Sequence, residues 1–375
     1  MLMAGLYIHI PYCSSKCYYC AFYSKPTRYS HDYTEALLQE LRMRADEACN
    51  PIETIYFGGG TPSILPISDL QRIFECIYTH YAVATNAEIT LEANPDHLTN
   101  NYVLQLRQHT PINRVSVGIQ SFADINLQYL GRKHNAAEAQ ASVLRLQDAG
   151  YSNLSVDLIY GIPTSTPMLW EQDLQQAIAM HVPHISAYSL TIEENTVLEQ
   201  LIKQGKRQPT DELQSIAHYN MLLARLGEAG YEQYEISNFC QPDCYSRHNR
   251  AYWQNKPYIG IGAAAHSYNG EMRSWNISNT VAYIQAMQQQ QPCCETEQLS
   301  LADKYNEYVM TSLRTKWGCN LSYITTAFGL QYLNFFQTTR QQLNPEWFVE
   351  VDGSIVLTSQ GKLFADKIAA ALFYV

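Results

Sequence analysis

Six short β-rich runs recur along the first half of the chain, at intervals of roughly 25 to 45 residues. Each run is rich in Val, Ile, Tyr or Leu and lacks strict polar alternation, which predicts strands that are buried on both faces. Helix-period segments separate the runs, and this alternation predicts parallel strands joined by right-handed crossovers. The runs are Leu6–Ile10, Thr54–Phe57, Glu88–Glu92, Arg114–Ile119, Leu154–Ile159 and His184–Leu190.

The repeats indicate an α/β fold class. Six βα units fit an incomplete (βα)6 barrel of the TIM type, and an open doubly wound sheet is the alternative. In either fold the functional groups are expected at the carboxyl ends of the strands. Polar and glycine-rich segments follow the runs at those positions, namely Gly58–Gly60, Glu92–Pro95, Gly118–Ser121 and Asp157–Pro163.

Length and charge narrow the class of protein further. The 375 residues suffice for one large barrel domain and a small second domain. A formal charge of −10 weighs against general nucleic-acid binding, which needs clustered Lys and Arg. The chain has no apolar run of about 18 residues and no signal peptide in Met1–Ile10. We therefore expect a cytoplasmic protein whose 10 cysteines are thiols or metal ligands.

The last part of the chain has a different pattern. From about Leu299 the period is helical, and Trp347–Val351 and Ser354–Leu357 flank Asp352-Gly353, which predicts a hairpin with a type I′ turn. These elements predict a small C-terminal winged-helix-like α+β domain, for which a structural or docking role is favoured over DNA binding. We expect the barrel at residues 1–230, an extension at 231–295 and this domain at 296–375.

The strongest chemical signal is the loop after the first run, Cys13-Ser-Ser-Lys-Cys17-Tyr-Tyr-Cys20. Three closely spaced thiolates can ligate three irons of a 4Fe–4S cube, because soft sulfur ligands suit iron. The fourth iron is then open to a substrate or cofactor. Three incidental thiols, or a zinc site with a distant fourth ligand, are the alternatives, although zinc sites more often show paired C-x2-C elements.

This spacing after the first strand of a partial barrel resembles the radical S-adenosylmethionine (SAM) superfamily. The resemblance implies that SAM chelates the open iron and is cleaved by one electron from the cluster. Further motifs resemble the branch of the oxygen-independent coproporphyrinogen III oxidases (HemN). They are Tyr7–Cys13, Gly58–Pro62, Glu92–Pro95, Gly118–Phe122, Leu130–Arg132 and Asp157–Pro163.

The same resemblance implies a set of SAM contacts, in which Arg132 would pair with a carboxylate. The alternatives are a tight turn for the glycines, packing for the tyrosines, and an internal hydrogen-bond or ion-pair network for the polar side chains. The implied contacts are Tyr7, Tyr19, Gly59, Gly60, Thr61, Glu92, Gln120, Arg132 and Asp157.

Two features depart from the oxidase pattern. Phe22 stands where the oxidases add a fourth cysteine, and only about five residues precede Leu6. In addition, the segment from His248 to Trp253 is an H-N-x-x-Y-W motif, which resembles the HemW heme chaperones. That likeness implies heme ligation by His248, with His266 as a weaker alternative ligand. It also implies porphyrin contacts from the rest of the motif, Asn249, Tyr252 and Trp253. A His-Asn pair that fixes a loop, with Trp253 in the core, is the other interpretation.

We thus expect a heme chaperone that holds a 4Fe–4S cluster, SAM and heme. Its expected partners are acceptor hemoproteins such as respiratory enzymes and a heme donor, and the resemblance allows for membrane-surface contact and a homodimer. An oxygen-independent coproporphyrinogen III oxidase is the alternative, and SAM cleavage in the function stays open. Cys240 and Cys244 have a spacing that suits a metal. The remaining cysteines are expected to be ordinary thiols, namely Cys49, Cys76, Cys293, Cys294 and Cys319.

Overall fold

A computed structural model describes residues 4–48 and 50–375, so Cys49 lies outside the described residues. The first six strands are parallel and pair in chain order. Their order confirms the (βα)6 arrangement and excludes the doubly wound alternative, in which the order reverses. The strands are β1 (Ala4–Ile10), β2 (Ile52–Gly59), β3 (Val83–Ala93), β4 (Arg114–Gln120), β5 (Asn153–Tyr160) and β6 (His184–Ser189).

Helices cover the outer face of these strands and bury their apolar stripes against it. Leu37, Leu70, Val143 and Leu174 are fully buried there, so most of the stabilising apolar burial lies between helices and sheet. Short 3-10 turns occur at Ala45–Glu47, Pro62–Ile64 and Pro95–His97. The helices are α1 (His31–Met43), α2 (Ile67–His80), α3 (Asn100–His109), α4 (Asp124–Leu130), α5 (Ala136–Asp148), α6 (Pro167–Ala179), α7 (Val197–Lys203) and α8 (Glu212–Glu228).

The strands do alternate polar and apolar side chains, so that part of the sequence expectation is wrong. Val115 and Val117 of β4 lie in the core under the helices, whereas Ser116 between them donates to Asp157 Oδ1 on β5 at 3.3 Å. Polar side chains from β2 to β6 line one interior cavity of about 40 Å³. The sheet therefore curves around a polar interior, and both faces are buried although only one of them is apolar.

Residues after α8 widen the sheet at both edges to 12 strands. One pair, β7 (Glu232–Gln233) and β8 (Asn238–Cys240), joins β6. The other edge gains β9 (Tyr258–Ile261), parallel to β1, and then three antiparallel strands. Because β1 and β6 pair with these additions and not with each other, the barrel stays open. The other added elements are α9 (Arg247–Trp253), β10 (His266–Tyr268), β11 (Met272–Asn276), α10 (Thr280–Gln288) and β12 (Cys294–Gln298).

The C-terminal part has a separate core and a three-stranded sheet. Asp352 and Gly353 have φ values of 49° and 73°, which confirms the type I′ hairpin turn. No helix in the described chain is long and apolar enough to span a bilayer. The elements are α11 (Leu301–Leu313), β13 (Cys319–Asn320), α12 (Leu321–Phe328), α13 (Leu330–Gln341), a 3-10 turn (Pro345–Trp347), β14 (Phe348–Val351), β15 (Ser354–Leu357), α14 (Ser359–Lys362) and α15 (Ala365–Ala371).

Candidate functional site

A cavity of about 570 Å³, the cofactor pocket, opens at the carboxyl ends of the parallel strands. It brings together the three cysteines of the C-x3-C-x2-C loop and every predicted SAM contact except Tyr7. These residues come from distant parts of the sequence and meet because parallel strands end at one edge of the sheet. The lining includes Cys13, Cys17, Tyr19, Cys20, Gly59, Gly60, Thr61, Glu92, Gln120, Arg132 and Asp157.

Backbone hydrogen bonds hold the cysteine loop against the barrel. The Cys13 N–H donates to Lys25 O at 3.1 Å, and the Tyr18 N–H donates to Leu130 O at 3.0 Å. Cys13 is buried, whereas Cys17 and Cys20 are half-buried and line the pocket. Burial raises the pKa of the Cys13 and Cys20 thiols. Cys13 and Cys20 therefore favour the thiol form until a metal displaces the proton.

The donor set fits a cluster better than a single ion. Within residues 4–48 and 50–375, no three His, Cys, Asp or Glu side chains converge on a single-ion site. A cube does not require such convergence, because each thiolate binds a different iron. The end of β2 approaches the loop closely, since a Cβ on Gly60 would lie 3.0 Å from Cys13 Sγ and 2.7 Å from Tyr12 O. A side chain at this position would fill the space next to the sulfur.

Arg132 is a buried cation that packs against the cysteine loop. Its Nη1 donates to Cys17 Sγ at 3.1 Å, and its Nη2 donates to Asn94 Oδ1 at 2.9 Å and Gly118 O at 2.6 Å. The buried Nε has no hydrogen-bond partner in the described chain. A guanidinium at this distance offsets the negative charge of a bound cluster. Among the described residues no carboxylate accepts from Arg132, so its pairing with a carboxylate stays a prediction.

Two carboxyl groups face the pocket from β3 and β5. Glu92 accepts from Tyr56 Oη at 2.7 Å and from the Gly59 N–H at 3.1 Å, and burial raises its pKa to about 7. Burial also raises the pKa of Asp157 to about 6. Both groups can therefore accept hydrogen bonds from hydroxyl or amino groups of a ligand, and each can hold a proton close to neutral pH.

The end of β4 carries backbone strain in the pocket. Gln120 has a φ of 71°, which is unfavourable for a residue with a Cβ. Asp173 of α6 fixes the two following residues, because it accepts from Ser121 Oγ and from the Phe122 N–H, both at 2.6 Å. Sequence reasoning missed Asp173. Its position on the buried stripe of α6, next to Leu174, was the available signal, since a carboxylate there needs partners.

His248 lies in the barrel interior and not at a surface. It is 2% exposed, its Nδ1 bonds to Thr54 Oγ1 at 2.8 Å, and its buried Nε2 has no partner among the described residues. Burial lowers its pKa to about 3, so the imidazole is neutral. The ring stacks on Tyr56 with centroids 4.9 Å apart, and Tyr7 stacks beside it at 6.4 Å. Tyr7 therefore belongs to this stack and does not line the cofactor pocket.

The other residues of the H-N-x-x-Y-W motif point in different directions. Asn249 lines the interior cavity of about 40 Å³, which holds little more than a water molecule. Tyr252 packs edge-on against His248 at 4.8 Å, and Trp253 lies under the guanidinium of Arg314 at 5.6 Å. His266 is exposed and lies 6.1 Å from the Trp275 ring. A cavity of about 320 Å³ lies beside the motif and is lined by Arg250 and Ala251, whereas His248, Tyr252 and Trp253 do not line it.

Comparisons with known proteins agree with these observations. A model described as the radical SAM superfamily matches residues 7–177. The heme chaperone HemW of Bacillus subtilis is 30% identical over 375 residues, which cover 98% of this chain and 99% of that protein. HemW of Lactococcus lactis is 35% identical over 314 residues, covering 83% and 82%. The solved structure of coproporphyrinogen III oxidase (HemN) from Escherichia coli, described as a radical SAM enzyme, superposes with a TM-score of 0.85 at 22% identity, covering 99% of this chain and 90% of that one. The last match shows a shared fold.

Proposed function

Because the chain belongs to the HemW heme chaperone family within the radical SAM superfamily, we propose that it binds heme and delivers it to other hemoproteins. Membership of the superfamily implies a 4Fe–4S cluster and SAM as cofactors. The observation that supports the cofactor part most strongly is the pocket in which three cysteines meet a buried cation, two carboxyls and a glycine wall. Cys13, Cys17 and Cys20 are the proposed cluster ligands.

The pocket residues have separate roles in this proposal. Bound together, the cluster and SAM supply one-electron chemistry. Arg132 holds the Cys17 sulfur and balances its charge, as its 3.1 Å contact suggests. Glu92 and Asp157 accept hydrogen bonds from SAM, and Gly59 and Gly60 let the ligand approach the backbone. Tyr19, Thr61 and Gln120 complete the lining, and together these side chains exclude water from the reacting centre.

Heme is the cargo in this proposal. We propose that the acceptors are hemoproteins such as respiratory enzymes, and that a second protein donates heme. Phe22 is 71% exposed at the rim of the cofactor pocket, at the position where the oxidase pattern has a cysteine. An exposed apolar ring there suits contact with another protein, either a second copy of the chain or an acceptor. This position distinguishes the chain from the oxidase pattern and supports the chaperone over the oxidase.

One anaerobic sample can test the proposal. The reconstituted protein should contain iron and sulfide in cluster stoichiometry, bind hemin in a titration, and pass it to an apo-hemoprotein such as apomyoglobin. The same sample should not convert coproporphyrinogen III to protoporphyrinogen. Failure to bind hemin, or decarboxylation with sustained turnover, would overturn the chaperone proposal. The control is the Cys244→Ser variant, which removes a half-buried thiol outside the cysteine loop and should keep the iron and sulfide content of wild type.

A further inference from the structure

The cavity of about 320 Å³ beside α9 carries an excess of positive charge, and we call it the basic cavity. Of the described residues that line it, three are cations, Arg247, Arg250 and Lys256, and one is a carboxylate, Asp243. Asp243 is exposed, so the cavity opens to solvent. In a chain with a formal charge of −10, such a cluster of cations marks a place where an anion is favoured.

The H-N-x-x-Y-W motif holds α9 so that a second face of the helix lines this cavity. His248 anchors the first face to the barrel, because its N–H donates to Glu88 Oε1 at 3.1 Å and its Nδ1 bonds to Thr54 Oγ1 at 2.8 Å. Arg250 and Ala251 occupy the two unspecified positions of the motif, and both line the basic cavity. The fixed positions therefore place the helix, and the unspecified positions supply the charge.

Arg250 is the cation of the cavity that most needs an anion. Its guanidinium lies over the Trp317 ring at 5.0 Å and over the Tyr245 ring at 5.7 Å, which holds the planar fork in one orientation. No carboxylate of the described chain forms an ion pair with it, and its buried Nε has no hydrogen-bond partner there. A half-buried cation in this state stabilises a bound anion more than a solvated one does.

The two neighbouring cations differ in what they can offer to a ligand. Burial lowers the pKa of Lys256, Glu53 raises it, and the charge of Arg250 lowers it again. The charges of Lys256 and Arg250 therefore repel each other, and an anion in the cavity would relieve that repulsion. Arg247 already has Glu53 at 3.5 Å and donates to Asn86 O at 2.6 Å, so less of its charge is available.

The size of the cavity suits one edge of a porphyrin. Heme carries two propionates on one edge of its ring, and guanidinium groups bind carboxylates in a bidentate geometry. Ligand cavities typically measure about 300 to 1,000 Å³, so the basic cavity is large enough for the carboxylate edge and too small for the whole ring. Gln254 at the cavity is exposed, so the rest of the ring would extend to the surface. An acceptor protein could contact the ring there.

We propose that the basic cavity binds the propionates of heme, with Arg250 and Lys256 as the carboxylate-binding residues. The contacts are ionic hydrogen bonds and involve no covalent or redox step. This inference rests on the proposed function, because it identifies how the cargo is held.

The test compares titrations of the full chain with hemin and with hemin dimethyl ester, in which both carboxylates are blocked. Wild type should bind hemin at least about tenfold more tightly than the ester, because the ester offers no charged acceptor. Arg250→Met should bind hemin about tenfold more weakly and the ester as wild type does. The matched control is Arg107→Met, at an exposed arginine that also lies over an aromatic ring, and it should leave both affinities unchanged.

Lys256→Met is a second variant, and it leaves the contact of Arg250 with the Trp317 ring in place. It should also reduce the preference for hemin over the ester. A preference that stays at the wild-type value in both variants, or a wild type that binds the two ligands equally, would overturn the propionate contacts and leave the proposed function intact. A wild type that binds neither ligand would overturn both proposals.

Discussion

The cofactor pocket is lined by charged side chains and strained backbone that belong to sequence motifs. A second cavity of about 790 Å³ on the same sheet, the methionine groove, is lined by Met43, Met272 and Met287 together with polar and charged side chains at its edges. In the pocket, Arg132, Glu92 and Asp157 hold defined hydrogen bonds, and Gln120 keeps a φ of 71°. In the groove, the charged pair of Arg44 and Glu40 is already satisfied in the floor. The two cavities are therefore suited to different ligands.

The difference explains why only one of the two cavities carries sequence motifs. Ligating iron and positioning a polar ligand require particular atoms at particular places, so the pocket needs specific residue types after specific strands. A cavity that only offers volume and side-chain contact can be built from many combinations of residues. Motif matching therefore finds the pocket, and the groove becomes visible only when the sheet extension is folded against α1 and α10.

The largest expected effect comes from removing the cluster ligands. The triple variant Cys13→Ser/Cys17→Ser/Cys20→Ser should contain no cluster iron or sulfide after anaerobic reconstitution, because serine does not replace the soft sulfur ligands. The methionine groove shares no residue with the pocket, so its structure should be unchanged. Iron and sulfide assays measure the cluster content, and a hemin titration on the same sample shows whether heme binding depends on the cluster.

Two outcomes would contradict the roles given to the cysteines. Full cluster content in the triple variant would remove the assignment of Cys13, Cys17 and Cys20. Loss of hemin binding together with the cluster would mean that heme binding depends on the cofactor pocket. Cys244→Ser, which changes one half-buried thiol outside both cavities, should leave both measurements unchanged.

A smaller effect is expected from the buried cation. Arg132→Met leaves Asn94 Oδ1 and Gly118 O without their donor, and removes the contact with Cys17 Sγ. Breaking such a buried charged network costs about 3 kcal/mol, so urea unfolding of the apo protein should show a loss of that order. Arg107→Met, at an exposed arginine over the Tyr151 ring, should cost less than about 1 kcal/mol. Equal losses of unfolding free energy in the two variants would show that the hydrogen bonds of Arg132 do not stabilise the fold.

A variant of Asp173 tests whether this helix residue stabilises the strained backbone at Gln120. Asp173→Asn weakens the hydrogen bonds to Ser121 and Phe122 and should let Gln120 relax from its left-handed conformation. Strain of this kind amounts to about 1 kcal/mol or more, so SAM affinity measured by equilibrium dialysis should fall about tenfold. Iron content should not change. Glu171→Gln, on the outer side of the same helix, is the control. A parallel loss of iron would indicate a general folding defect instead.

The sequence allowed much of this architecture to be predicted, and the failures have physical causes. The strand order, the hairpin turn at Asp352-Gly353 and the convergence of the cofactor residues follow from local patterns that parallel topology brings together. The polar interior was missed because alternation in runs such as Arg114–Ile119 was not recognised as an inward polar face. The burial of His248 could not be predicted, since it depends on how α9 packs against β2. A motif shows which residue is special and not which atoms it contacts.

The smallest effect separates the two cavities by their response to pH. Glu92 and Asp157 have pKa values raised to about 7 and about 6 by burial, above those of an unfolded chain. The folded apo protein therefore binds more protons than the unfolded chain in this range, and its free energy of unfolding should rise as the pH falls through these values. Between about pH 7.5 and about pH 6 the gain should be on the order of 1 kcal/mol. In Glu92→Gln/Asp157→Asn the gain should be smaller by that amount, whereas Ser274→Trp in the groove should respond as wild type does. Urea unfolding at the two pH values measures the difference, and an equal response in all three proteins would mean that the pocket carboxyls stay ionised on folding.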